Sequence, residues 1–276
     1  MTLGDMRRWL EAQGVMLTKS LGQHFLHDGN QLRRIVAAAG VIPGDRLLEI
    51  GPGLGPLTER LLATGAPVTA VELDDRLANA LSERLGNPPL LELVRADALE
   101  WLRGDSRNWS TTKLVANLPY SVGSPILVEL ALSRHPPSRM VVTLQWEVVQ
   151  RLTAAPGTEN YGLLTLLIAA RYEPEGWFRI PRSCFHPPPE VDSACVNLVR
   201  RPQPLVADDV LPTYVRVVRQ AFSQRRKMMR KLLVTRWAPA LVDAALLAAG
   251  VPHGARAEVL PPEAFADIAS RLAAPD

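Results

Sequence analysis

The segment Glu49-Ile50-Gly51-Pro52-Gly53-Leu54-Gly55 constrains the fold of this chain more than any other. It runs out of a short apolar stretch, residues 46–50, and into residues 56–63, where Leu57, Leu61 and Leu62 recur at helical spacing. Glycines at alternate positions let the backbone turn tightly and approach a ligand closely. Strand, glycine turn and helix in that order open a doubly wound α/β sheet. The following residues keep the same rhythm. Strands are expected at 68–72, 91–95, 114–117 and 140–144, with helices through Leu85 and over 125–133. Such alternation implies βαβ units and a mainly parallel sheet. Helices are then expected at 146–153 and 163–171, and strands at 177–180 and 194–200, with a proline-rich loop between the strands. Pro202 and Pro204 mark an expected boundary between a domain of residues 1–203 and a small helical domain of residues 204–276.

With 276 residues, 47% of them hydrophobic, the chain has material for a large core and a second, smaller one. Its apolar runs, such as residues 163–170, fall short of the roughly 20 residues a membrane span needs. The first residues show no secretory pattern, so a cytoplasmic protein is expected, with no membrane partner. Cys184 and Cys195 are too few for a disulfide framework and too isolated for a zinc site, so two buried free thiols and no metal are expected.

The expected cofactor pocket lies along the carboxyl edge of the sheet, where open α/β sheets bind ligands. Glu72 ends the second strand, 21 residues after Gly51, and its carboxylate suits a ribose diol. Asp97 follows the third strand and puts a second acceptor on the same edge. The glycine loop and Glu72 would serve a nicotinamide dehydrogenase as well. What separates the two chemistries is Asn117-Leu118-Pro119-Tyr120 at the end of the fourth strand. It resembles the Asn/Asp-Pro-Pro-Tyr loop of amino-methyltransferases. An exocyclic amine is a poor nucleophile because its lone pair is delocalised into the ring. The Asn117 side-chain carbonyl and the Leu118 backbone carbonyl supply acceptors that hold the amine hydrogens and favour a pyramidal nitrogen. Pro119 stiffens the loop, and Tyr120 offers a face for a base to stack on. No general base is required, because the proton becomes acidic only as the methyl arrives. Phe185, in Ser183-Cys184-Phe185-His186-Pro187-Pro188-Pro189, is the large ring of a rigid loop. Taken alone it is a core filler; beside an extruded base it would be an apolar wall.

In combination these strings identify a family. The chain resembles the KsgA-type ribosomal RNA adenine N6,N6-dimethyltransferases over nearly its whole length. The carriers are Leu21-Gly22-Gln23-His24-Phe25-Leu26, Glu49 to Gly55, Asn117 to Tyr120, Leu144-Gln145-Trp146-Glu147-Val148-Val149, Phe185 to Pro189 with Val191-Asp192-Ser193, and Phe222-Ser223-Gln224-Arg225-Arg226-Lys227. The resemblance implies a Rossmann-like class I S-adenosylmethionine-dependent methyltransferase sheet. It implies two successive methylations on each of two adjacent adenosines near the 3′ end of 16S rRNA, with the small ribosomal subunit as partner and a monomeric enzyme. It further implies cofactor contacts at His24, Leu26, Gly51, Gly53, Glu72, Asp97 and Asn117, with Glu72 on the ribose and Asp97 on the adenine amine. Tyr120 and Phe185 would sandwich the target base. His24 stands where the family commonly has asparagine, and Ser121 where asparagine is frequent. Two other activities fit the same framework: methylation of large-subunit rRNA, conferring antibiotic resistance, and a non-catalytic assembly or transcription factor.

The net charge of +3 comes entirely from the C-terminal part. Residues 1–203 balance 21 basic against 21 acidic side chains, while residues 204–276 carry 10 against 7. Seven of those ten lie within residues 213–233, which hold no acid. Val215, Val218, Phe222, Met229 and Leu232 fall on one helical face and Arg216, Arg219, Arg226 and Arg230 on another. A solvated face and a phosphate-binding face are both consistent with this pattern; the resemblance selects phosphate, with Arg219, Arg225, Arg226, Lys227 and Arg230 as the RNA-binding candidates. Reversing Arg226 and Arg230 to glutamate is expected to weaken binding to ribosomal particles and flatten its salt dependence. A salt titration that matches the parent would refute this.

Overall fold

Apolar strands alternating with amphipathic helices bury a parallel sheet on both faces, and that burial sets the architecture. The structure is a computed structural model that describes residues 1, 3–12, 24–104, 107–224 and 226–273. It divides into two compact units, Met1–Val149 with Pro174–Val199, and Gln150–Glu173 with Arg200–Asp276.

The first unit holds β1 (Phe25–Leu26), β2 (Arg46–Ile50), β3 (Val68–Glu72), β4 (Leu91–Arg95), β5 (Thr112–Asn117), β6 (Arg139–Gln145), most of β7 (Tyr172–Ile180), β8 (Phe185–His186) and most of β9 (Ser193–Arg200). Its helices are α1 (Leu3–Ala12), α2 (Gly29–Ala39), α3 (Pro56–Leu62), α4 (Asp75–Leu85), α5 (Ala98–Gly104), α6 (Gly123–Leu132) and the first turn of α7 (Trp146–Leu152). Seven strands form one sheet in the order β4-β3-β2-β5-β6-β9-β7. β4, β3, β2, β5 and β6 are parallel, and β9 returns antiparallel to β6. β5 and β6 are buried almost continuously, as expected for strands covered on both faces. From β2 the chain winds outward through β3 and β4, then crosses back to β5 and β6. The switch point therefore lies between β2 and β5, and the crevice beyond their carboxyl ends is where such sheets bind ligands.

Two short features were beyond the reach of periodicity. β1 and β8, two residues each, pair antiparallel with Leu26 opposite Phe185 and Phe25 opposite His186. α5 is only seven residues, and Asp97 caps it by accepting from Leu99 N–H at 2.9 Å and Glu100 N–H at 3.0 Å. Cys184 and Cys195 are buried free thiols.

The second unit contains α8 (Leu163–Ala169), α9 (Leu211–Ala221), α10 (Met229–Leu233), α11 (Pro239–Ala248) and α12 (Pro262–Ala273). Tyr161, Phe222 and Phe265 contact ring to ring, and the Tyr214 hydroxyl donates to the Leu166 carbonyl at 2.9 Å. The chain returns to this unit at Arg200, near the expected boundary, but the unit also takes residues 150–173 from within the first domain as the sequence divides it. The reason is α8, whose apolar side chains Leu166, Leu167 and Ile168 are core for the helical unit. Residues 213–233 are not one helix. α9 ends at Ala221, the Ser223 hydroxyl turns back onto the Gln220 carbonyl at 2.7 Å, and α10 starts only at Met229. No helix among the described residues is long and apolar enough to cross a membrane.

One core residue is a carboxyl group whose charged form the fold penalises. Glu49, on β2, is 2% exposed and its Oε2 has no hydrogen-bond partner. Burial pushes its carboxyl from the ordinary 4.5 up to about 8; the Thr58 hydroxyl opposes this and the neighbouring Glu72 adds to it. The folded state thus keeps a proton that the unfolded chain releases. Its contribution is fully present below about pH 4.5 and is lost as pH rises towards about 8. Glu49→Gln should remove this component, at up to about 1.4 kcal/mol per pH unit across that window. Denaturant titrations of parent and variant at several pH values check it, and parallel stability–pH curves would refute it.

Candidate active site

The glycine loop leaves β2 in a conformation that side chains disfavour. Gly51 and Gly53 have φ of +67° and +55°. A Cβ on Gly53 would lie 2.3 Å from the Phe25 ring, and one on Gly51 would lie 3.2 Å from Pro119. The loop is therefore pinched between β1 and the segment that follows β5. From β3, Glu72 reaches under it. Its Oε2 accepts from Gly53 N–H and its Oε1 from Asp74 N–H, each at 3.0 Å. Burial raises its pKa, and the two N–H groups oppose that shift. Each oxygen keeps a further lone pair. Asp97 spends Oδ1 on capping α5 and leaves Oδ2 uncommitted among the described residues. Phe25, Ile50, Gly51, Gly53, Glu72, Leu77, Asp97, Asn117 and Tyr120 line one continuous cleft.

Asn117 ends β5 in this cleft. Its Nδ2 donates to the His24 carbonyl at 2.8 Å. A carbonyl only accepts, so the amide is held with Oδ1 turned the other way, buried and without a partner. The Leu118 N–H donates to Thr143 O at 3.2 Å, while its carbonyl is not taken up by any hydrogen bond among the described residues. Pro119 O accepts from Val122 and Gly123, which closes the turn into α6. The Tyr120 hydroxyl is hydrogen-bonded to the buried Ser193, and burial raises its pKa above 10.0, so the phenol stays protonated at neutral pH.

Three expected positions differ from their sequence reading. The ring beside Tyr120 is His24, at 5.3 Å between centroids and 29° between planes, with Nδ1–H donating to Pro187 O at 2.8 Å. A base takes that face of Tyr120 only if His24 moves. Phe185 is 2% exposed and packs with Leu26, Ile35, Val115 and Val141, because β1–β8 pairing turns it inward. Here it fixes the strand that delivers His24 rather than walling the cleft. Leu26 is likewise core, and Phe25 instead faces the cleft. The roles of His24 on Tyr120 and of Ser193 behind it had no signal in residue spacing, since both depend on pairing across more than 70 residues.

In the helical unit, Arg219, Arg226 and Lys227 are exposed and make no ion pair among the described residues. Arg230 does not share that freedom: it makes a bidentate pair with Asp243, one arm at 2.7 Å. Its reversal would remove a fold contact as well as a cation. Arg225 lies outside the described residues.

Chemically, the cleft offers carboxylates for a ribose and an amino group, a glycine cradle, and two carbonyl acceptors where the sheet switches direction. These features fit an adenosine-bearing sulfonium on the Gly51–Glu72–Asp97 side and an amine acceptor on the Asn117–Tyr120 side. Among the described residues no group of His, Cys, Asp and Glu is placed to hold a metal ion.

Known proteins match the chain over most of its length. Residues 15–274 match the family described as "Ribosomal RNA adenine dimethylase". "Ribosomal RNA small subunit methyltransferase A" of Pelotomaculum thermopropionicum is 41% identical, over 96% of this chain and 94% of its own. The protein of the same name from Gloeobacter violaceus is 42% identical, over 94% of each chain. Among solved structures, the 23S rRNA methyltransferase ErmE is 31% identical with a TM-score of 0.66, covering 90% of this chain and 99% of its own. A dimethyladenosine transferase from Plasmodium falciparum, 23% identical with a TM-score of 0.70 over 89% and 96% of the two chains, shares the fold.

Gly53→Ala is expected to lose at least about tenfold in S-adenosylmethionine affinity and about 1–2 kcal/mol of stability, from positive φ and the Phe25 clash together. Calorimetric titration and thermal unfolding read the two effects, and parental affinity would refute the cradle.

Proposed function

This chain belongs to the ribosomal RNA adenine dimethylase family, and from that premise we propose the sites and substrate of its reaction. It dimethylates adenine N6 in 16S rRNA, with S-adenosylmethionine as the methyl donor. The acceptors in this reading are two adjacent adenosines near the 3′ end, presented by the small ribosomal subunit. In this reading the enzyme acts as a monomer in the cytoplasm, alongside its rRNA.

S-adenosylmethionine supplies an electrophilic methyl on a cationic sulfur. Glu72 and Asp97 hold its nucleoside, and the Gly51–Gly53 turn lets the backbone close on it. Asn117 Oδ1 and the Leu118 carbonyl accept the two hydrogens of the incoming amine. They favour a pyramidal nitrogen with its lone pair aimed at the methyl, and alignment of this kind is worth several orders of magnitude in rate. Tyr120 stacks on the base once His24 yields that face. The proton leaves as the new bond forms, so no side chain need serve as a strong base. Arg219, Arg226 and Lys227 hold RNA phosphates without reading sequence. The observation that carries this reading is the buried, unpaired Asn117 Oδ1, fixed by the His24 carbonyl on the other side of the amide.

A second reading, methylation of large-subunit rRNA, is favoured by the likeness to the 23S enzyme; the small-subunit name of both relatives at 41–42% identity outweighs it. Incubation with labelled cofactor and undermethylated small or large subunits, followed by mapping, separates the two. Label is expected on adjacent adenines near the 3′ end of 16S rRNA; label on 23S rRNA alone overturns the substrate, and none overturns catalysis. Asn117→Ala should cut transfer by about 100-fold or more while the thermal midpoint stays within a few degrees of the parent's. Undiminished transfer would remove Asn117 from the mechanism.

A further inference from the structure

Trp146 and Trp177 stand together on the first unit with no part in the chemistry above. Their ring centroids are 4.7 Å apart at 50°, and the Arg179 guanidinium lies 4.2 Å over the Trp146 ring. Arg179 also faces the Asp192 carboxylate at 3.5 Å. β7, which carries Trp177, is an edge strand of the seven-stranded sheet, and Trp177 is 48% exposed. A large apolar ring left on an open edge forgoes burial and invites unwanted association. Packing on Trp146 accounts for one side of the ring and leaves the other open.

β6 ends at Gln145, which pairs with Ser193, the residue whose hydroxyl holds Tyr120. Trp146 is the next residue, and its N–H donates to Asp192 O at 2.9 Å. The tryptophan pair thus begins at the residue after Gln145, the strand partner of the Ser193 that anchors Tyr120, at the carboxyl end of β6. Arg179 and Asp192 clamp Trp146, and Trp146 backs Trp177, so the exposed ring is held in place before any ligand arrives.

Resting on the reading of the chain as an rRNA methyltransferase, we propose that Trp177 is a stacking platform for an unpaired nucleotide next to the target adenosine. Swinging the adenine out of its stack uncovers the face of its neighbour. A preorganised aromatic ring held against the residue that follows β6 covers that face again, whichever base it is, because every base has a π-face. The cation over Trp146 suits the same partner: a ring backed by a guanidinium is a surface for nucleic acid. The platform holds the flanking nucleotide and so positions the adenosine; it touches neither the methyl nor the amine.

Trp177→Ala should raise KM for undermethylated small subunits by about 5- to 150-fold, the range of one lost base stack. kcat at saturating subunits and cofactor affinity should stay within about twofold of the parent, and Trp177→Phe should restore most of the loss. The slope of log affinity for small subunits against log salt should not change, since no phosphate contact is removed. An unchanged KM overturns the platform and points to a protein partner for this ring. Cofactor affinity falling in step with KM, or a phenylalanine variant as weak as alanine, overturns it in favour of a structural role. Failure of the parent enzyme itself to label small subunits would instead refute the proposed function, and this inference with it.

Discussion

The hydrogen bond from Asn117 Nδ2 to the His24 carbonyl joins the two halves of the site. One residue ends the central strand β5; the other precedes β1, which is fixed by pairing with β8 on the far side of the chain. Without that bond the amide could rotate and present its NH₂ to an amine, which is the wrong polarity for holding amine hydrogens. With it, the one buried atom left to meet a substrate is an acceptor. The same His24 stacks on Tyr120 and donates to Pro187, so a single residue orients the acceptor, covers the stacking face and ties the N-terminal strand to the proline-rich loop.

The cofactor half depends on burying two carboxyl groups side by side. Glu72 is offset by two backbone N–H groups, whereas Glu49 keeps an oxygen with no partner and holds a proton at neutral pH. A protonated, uncharged Glu49 puts no second charge beside Glu72, which avoids like-charge repulsion beneath the glycine turn. The arrangement lowers stability and leaves Glu72 able to accept from a diol. Sites often carry local penalties of this kind, which the rest of the fold outweighs.

In the helical unit, charge and packing interleave more closely than linear spacing implies. The apolar residues of 213–233 do pack, but on two helices separated by a turn at Ser223. Arg230 illustrates the difference: by period it belongs with Arg219 and Arg226, yet Asp243 on α11 neutralises it. Asp243 lies 13 residues further on, outside any helical repeat that includes Arg230.

Residue spacing was enough to place the parallel sheet, the order of its βα units and the polar residues along its carboxyl edge. These rest on local facts: apolar runs of strand length, glycines where φ is positive, and acids or amides at strand ends. The glycine turn after β2 and the Asn117–Tyr120 turn after β5 were legible for that reason. Tertiary structure alone decided which atoms of those residues are free. It turned Phe185 and Leu26 into core, set His24 against Tyr120, placed Ser193 behind the phenol, paired Arg230 with Asp243 and left Trp177 exposed against Trp146. Each of these outcomes depends on strand pairing or side-chain packing between segments far apart in the chain. A pattern with a period of two or 3.6 residues carries no record of a partner 70 or 160 residues away.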